Sequence, residues 1–358
     1  MKVETALPLG RLVTGMRTEE QDLDPVNVDQ DARAAEGLGY DTLTVRENKH
    51  DPFIVVALAS QATTRVGLAT SVAIAFPRSP MVTAMSAWTL QKLSNGRFTL
   101  GLGPQVKGHI ERRFGLRWSA AAPWMAEYLQ ALRAIWDCWQ SGSRLDVRGD
   151  HYNINLMVPL FNPGPIEHPG IPIHIAAVNP AMCKVAGRLA DGVRPHPMCT
   201  AEYISQMMLP AVREGADKAG RTLAHYAVAV APLIATGLDQ KTLDARINAV
   251  RGRIAFYAST PAYRAALEFH GLGDLADRLA TLSRAQRWDE MPRLITDDVL
   301  EKYAVVARHH ELVQKLSERY RSVVTHLEFS IPVATEQDAK TLRTMIAALQ
   351  AQKIEALV

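Results

Sequence analysis

Short apolar runs alternate with amphipathic stretches along most of this chain, the pattern of strands interleaved with helices. Residues 3–8 read as a first strand. Residues 29–38 read as a helix closed by Gly39, a residue suited to the left-handed turn that ends helices. A second strand is expected over 40–45, a second helix over 52–63, and a third strand of β-branched and small residues over 65–76. The pattern then predicts a helix over 80–93 and an Asn95-Gly96 turn into a fourth strand from Arg97. Residues 121–140 form an apolar-rich helix carrying Trp124, Trp136 and Trp139. Repeated units of this kind imply a parallel sheet covered by helices.

Residues 141–170 break the rhythm with Gly, Pro, Asn and Asp, and a small hairpin is expected over 145–154. The region is an insertion rather than a linker, because a fifth strand resumes at 171–177. A helix over 181–190, a sixth strand over 192–196, a helix over 203–219 and a seventh strand over 225–236 follow. Residues 238–322 read as a helical block broken at Pro261, Gly271 and Pro292, with His309 and His310 in mid-helix on the surface. An eighth strand over 322–332 and a helix over 335–357 complete the series. Eight strands interleaved with helices point to an α/β fold of the (β/α)8 barrel type, one domain over residues 1–358. An open doubly wound sheet lacks support, since no Gly-x-Gly-x-x-Gly stands in the first strand-to-helix turn.

Composition narrows the class. Apolar residues make up 47% and charged residues 22% of the chain, ordinary for a globular enzyme. No apolar run reaches the roughly 18 residues a membrane span needs, and the N-terminal stretch lacks the apolar core of a signal peptide. Cys138, Cys183 and Cys199 show no Cys-x-x-Cys spacing, which fits a reducing, cytoplasmic setting. A net charge of +3 with scattered Lys and Arg gives no reason to expect nucleic acid as a partner. No metal-ligand spacing, Gly-x-Ser-x-Gly elbow or Walker loop is present.

Candidate chemistry gathers at strand exits, where such barrels place their sites. After strand four, Gly101 and Gly103 suit a close approach of backbone to ligand, and Gln105, Lys107, His109, Arg112 and Arg113 follow. A strand end feeding a helix N-terminus collects free N–H groups and a partial positive charge, an anion site fit for a phosphate-bearing cofactor. After strand two, Arg46-Glu47-Asn48-Lys49-His50-Asp51-Pro52 is dense in titratable groups. Glu47 and His50 are the acid/base candidates there, while Asp51 before Pro52 reads as a helix cap. After strand five, small residues up to Asn179 leave room for a ligand before a second helix start. His196, flanked by Pro195 and Pro197, reads as a structural histidine held in extended backbone.

Three blocks, residues 70–80, 95–114 and 175–196, resemble the bacterial-luciferase-like superfamily, and within it the oxidoreductases that use the deazaflavin coenzyme F420. His50-Asp51-Pro52-Phe53 and residues 126–139 add to the resemblance. It implies a (β/α)8 barrel, commonly a homodimer, with the cofactor across the C-terminal mouth. It places a non-prolyl cis peptide at Ser71-Val72, behind the cofactor ring. Gly103, Pro104, Gln105, Val106 and Lys107, with Ala177, Val178, Asn179, Ala181 and Met182, would then hold the phosphate and the acidic tail. The sugar-phosphate branch carries a glutamate in the strand-four loop and an Asp-His pair after strand two. This chain has Pro104-Gln105-Val106 and Arg46-Glu47-Asn48 there, which argues against sugar-phosphate oxidation. The resemblance implies hydride transfer between F420 and a small organic substrate, a carbonyl or activated alkene. The alternative is a monooxygenase using reduced FMN and oxygen. Met157, Leu160 and Phe161 of the insertion are expected to roof an apolar substrate pocket.

Overall fold

The computed structural model describes residues 1–10 and 22–354. Eight parallel strands close on themselves: β1 (Lys2–Ala6), β2 (Thr42–Val45), β3 (Gly67–Thr70), β4 (Phe98–Gly103), β5 (Ile173–Ala177), β6 (Gly192–Pro195), β7 (Ala227–Val230) and β8 (His326–Glu328). Each pairs with the next, and β8 returns to β1 with His326 opposite Lys2 and Glu328 opposite Glu4. The barrel helices are α1 (Val28–Leu38), α2 (Pro52–Ala62), α3 (Pro80–Leu93), α4 (Ala121–Ser141), α5 (Pro180–Leu189), α6 (Leu209–Lys218), α7 (His309–Tyr320) and α8 (Glu336–Gln350). The fold is the (β/α)8 barrel expected from the alternating pattern. Part of the last expected helix, residues 355–357, lies outside the described residues.

Local chemistry explains most boundaries. Gly39 ends α1 with φ +92°, a conformation that costs a side-chain-bearing residue energy. Asp51, Ser79 and Asn179 cap α2, α3 and α5, each ahead of a proline in the first turn that has no N–H to satisfy. α4 buries Trp136, Trp139, Tyr128 and Leu129 against α3 and α5. Each such side chain contributes about 1.5–3 kcal/mol by leaving water.

Three elements differ from the sequence pattern. The expected third strand breaks at Thr70. A cis peptide joins Ser71 to Val72, and a short strand, Ala73–Ile74, resumes pairing with β4. The seventh strand breaks after Val230, because Pro232 cannot donate to a ladder. Its second half, Leu233–Gly237, leaves the barrel and pairs in parallel with Ala304–Arg308, a strand that the pattern had absorbed into the helical block. His309 and His310 therefore open α7 instead of lying mid-helix.

The insertion forms the expected hairpin, Val147–Arg148 against Asn153–Ile154. The block between β7 and α7 has a core of its own. Leu243, Val250, Ile254, Leu267, Leu279, Val299 and Tyr303 pack on one face of the outer strand pair, whose other face, at Ile234, Val305 and Ala307, joins the main barrel core. One barrel-side residue, Met198, joins this second cluster.

Candidate functional site

A cavity of about 980 Å³ opens at the C-terminal ends of the strands, and all eight contribute to its wall. Thr5, Arg46, Ser71, Gly103, Ala176, Arg194, Ala229 and Glu328 mark the eight exits. Of the residues singled out in the sequence, Glu47, Ser71, Val72, Gly103, Pro104, Gln105, Val106, Lys107, Ala177, Val178, Asn179 and Met182 border it. His50 and Ala181 are not part of this wall. Nor are Met157, Leu160 and Phe161; Leu160 and Phe161 are 85% and 70% exposed, so the insertion does not roof the pocket. Trp118 and Ala121 border the cavity instead.

The bulge after β3 is held from several sides. Thr70 Oγ1 donates to the Gly101 carbonyl at 2.7 Å and accepts from its amide at 2.9 Å, filling the gap in the ladder. A Cβ at Gly101 would meet Thr70 O at 1.9 Å, and one at Gly103 would meet Val72 Cγ2 at 2.6 Å. The two glycines thus make room for the bulge by letting the strands approach closely, and Gly103 also borders the cavity. Glu47 accepts hydrogen bonds from the Ile74 amide at 2.7 Å and from Arg78 Nη1 at 2.7 and 2.9 Å. Arg78 also reaches the capping residue Asp51 at 2.9 Å. The polar loop after β2 is therefore tied to the bulge and to the start of α2.

Behind the bulge lies charge that the sequence reading did not pick out. Arg194 donates to both carboxylate oxygens of Glu4, at 2.9 and 3.1 Å, and to Ser71 Oγ at 3.2 Å. Both side chains of the pair are nearly inaccessible, 7% and 2% exposed. Burial alone would raise the pKa of Glu4, but the facing Arg194 guanidinium brings it below the ordinary carboxylate range. Arg46 pairs with Glu328, which also accepts from Thr44 Oγ1 at 2.9 Å. His174 and His326 meet edge to face at 6.1 Å. Burial lowers both histidines, His326 to about 4. A charged residue inside a short apolar strand, as at Glu4, Arg194 and Glu328, was the signal that could have found this layer.

His196 borders the cavity and is enclosed by aromatic rings: Tyr263 stacks on it at 3.8 Å and Tyr257 meets it edge-on at 4.6 Å. Burial lowers its pKa to about 3, so the ring is neutral at physiological pH. Both tyrosines come from the block between β7 and α7, which no sequence motif marked.

The wall fits a flat, phosphate-bearing cofactor. Val72, Ile74, Ala176, Ala177, Val178 and Met182 offer apolar surface for a ring system. The short helix Lys107–Arg112 has no side-chain cap, which leaves its first amides for a ligand beside Lys107. At the second helix start the fit is tighter, because the Asn179 side chain itself accepts from the Met182 amide at 3.0 Å. Arg113 is drawn away to the Asn48 carbonyl at 3.1 Å. Among the described residues no cluster of His, Cys, Asp and Glu converges as a metal site, and no helix is long and apolar enough to cross a membrane.

A closed parallel barrel with a large cavity at its C-terminal mouth defines the class: a barrel enzyme whose chemistry sits on the strand-to-helix loops. The chain belongs to the luciferase-like monooxygenase family, whose model matches residues 11–326. It is 42% identical over 293 residues to the uncharacterized protein Rv1360 of Mycobacterium tuberculosis (strain ATCC 25618 / H37Rv), covering 82% of this chain and 86% of that one. In three dimensions it is similar to the coenzyme F420 dependent tetrahydromethanopterin reductase from Methanopyrus kandleri, with a TM-score of 0.73, 21% identity and 98% of each chain covered. It is also similar to an F420-dependent secondary alcohol dehydrogenase in complex with an F420-acetone adduct, with a TM-score of 0.69 and 17% identity over 97% of this chain and 98% of that one.

Proposed function

We propose that this protein is a coenzyme F420-dependent oxidoreductase that moves hydride between the deazaflavin and a small organic carbonyl compound or activated alkene. The observation that carries the reading is the pairing of an apolar slot with uncapped helix amides and Lys107 in one cavity. F420-dependent proteins among its structural neighbours support it. When bound, the cofactor supplies the hydride chemistry, and the protein supplies orientation and exclusion of water. Ser71 and Val72 back the ring, Gly103–Lys107 hold the phosphate, and the segment 177–182, including Ala181, holds the tail. Glu47, fixed by Arg78 and the Ile74 amide, positions the bulge; its carboxylate is committed to accepting, so it is poorly placed to donate a proton.

The family description favours a second reading, a monooxygenase using reduced FMN. Titration of the cofactor-free protein with F420 and with FMN, followed by quenching of tryptophan fluorescence, separates the two. Micromolar F420 binding with weak FMN binding is expected; preference for FMN moves the assignment to oxygen chemistry.

We also propose that the protein works as a homodimer. α2 and α3 pack side by side, and Ile54 (64% exposed), Leu58, Val82 and Met85 (57%) leave an apolar face on them.

A further inference from the structure

His196, Tyr257 and Tyr263 form one aromatic cluster built from two parts of the chain: the exit of β6 and the block that follows β7. Nδ1 of His196 accepts a hydrogen bond from the Met198 amide at 3.2 Å. A neutral imidazole that accepts at Nδ1 carries its hydrogen on Nε2. Among the described residues, Nε2 and the two tyrosine hydroxyls have no hydrogen-bond partner, although all three side chains border the cavity. The three polar groups stand half-buried on an aromatic surface and are open to the cavity, where a ligand can meet them. The acids near the wall are already matched: Glu47 with Arg78, Glu328 with Arg46, Glu4 with Arg194. Arg253 lies over the Tyr257 ring at 5.9 Å. Among the described residues of the wall no carboxylate is left over to receive an ammonium group, Arg46 and Arg194 are spent on Glu328 and Glu4 rather than free for an anion, and the cluster offers donors on flat apolar faces.

We infer that this cluster recognises the substrate, and that the substrate is an uncharged ring compound with a carbonyl oxygen that accepts a hydrogen bond from His196 Nε2. The inference rests on the oxidoreductase reading for the reaction that follows, but not for the binding step. His196 thus selects and orients the carbonyl, while Tyr257 and Phe256 supply the apolar faces.

The test uses full-length protein labelled with ¹⁵N-histidine, with and without F420, and two probes of equal size: 1-tetralone, an uncharged ring ketone, and 1-naphthoate, an anion. Tetralone is expected to shift the His196 side-chain resonances and to bind about tenfold tighter than naphthoate, whose carboxylate would give up its hydration with no free cation among the described residues of the cluster to meet it. His196→Phe keeps the ring stack and removes the donor. It is expected to weaken tetralone about tenfold while F420 affinity stays unchanged, and His196→Gln, which restores an N–H, recovers part of the loss. The resonance shift on the unmutated protein needs no variant, and so covers the case in which His196→Phe does not fold. Equal tetralone binding by wild type and His196→Phe overturns the inference. So does tighter binding of naphthoate, or the absence of any His196 shift. Because the resonance is read without turnover, a protein that binds no F420 refutes the oxidoreductase reading while the cluster is still tested.

Discussion

Arg194 does two things with one guanidinium: it neutralises Glu4 inside the barrel and holds Ser71 at the bulge. Removing one partner of a buried pair strands the other charge. Arg194→Met is therefore expected to destabilise the fold by about 3–5 kcal/mol, and the double change with Glu4→Gln by much less. Equilibrium urea unfolding of the three proteins checks both values. The two acid/base candidates after β2 separate in the same way. His50→Gln should leave cofactor binding and turnover unchanged, because His50 is not on the cavity wall. Glu47→Gln should lower turnover about tenfold or more, because Arg78 then keeps only Asp51 as a charged partner and the bulge loosens. Steady-state kinetics of the two single variants decide this.

At the scale of elements, helices and barrel strands were legible because each carries its own signal. The Pro80 start of α3 and the Gly39 stop of α1 mark boundaries that the structure reproduces. What escaped was set by pairing across space. The strand Ala304–Arg308 is short and runs straight into α7, so its local pattern merges with a helix. Only the partner strand Leu233–Gly237, released by Pro232, makes it a strand. The site divides likewise: the loops after β4 and β5 announce themselves by glycine and proline, whereas Tyr257 and Tyr263 are ordinary helix and turn residues until the fold brings them to His196. α2 and α3 bury apolar residues against the barrel and leave others, Ile54, Leu58, Val82 and Met85, on an uncovered face. Ile54→Lys with Met85→Lys should turn a dimer into a monomer without disturbing the barrel, which sedimentation velocity would read directly.

For the whole molecule, the buried histidines set the acid limit. His174, His196 and His326 all have lowered pKa values in the fold, His196 to about 3 and His326 to about 4. Below pH ~6.5 the unfolded chain takes up protons that the fold refuses. Stability is thus complete above that pH and declines as pH falls toward the folded values. The decline is at most about 1.4 kcal/mol per pH unit for each group. Glu4, also lowered, adds a loss in the same direction only once pH drops below the unfolded carboxylate value near 4.5. Thermal unfolding should therefore move to lower temperature between pH 6.5 and 4, and His196→Phe should flatten that slope.

The second core around the outer strand pair changes how the molecule opens. A block with its own buried cluster, joined to the barrel through Met198, the His196 stack, the Thr200–His270 contact at 2.9 Å and the inner face of its strand pair at Ile234, Val305 and Ala307, is expected to open as a cooperative unit before the barrel does. Amides in Gln240–Ala258 and Gly273–Arg284 should exchange with solvent deuterons together, at a lower opening free energy than those of β1 or β4. A ligand on Tyr257 and Tyr263 should slow that exchange, whereas one touching only the cofactor loops should not, so deuterium uptake would report which half of the cavity is filled.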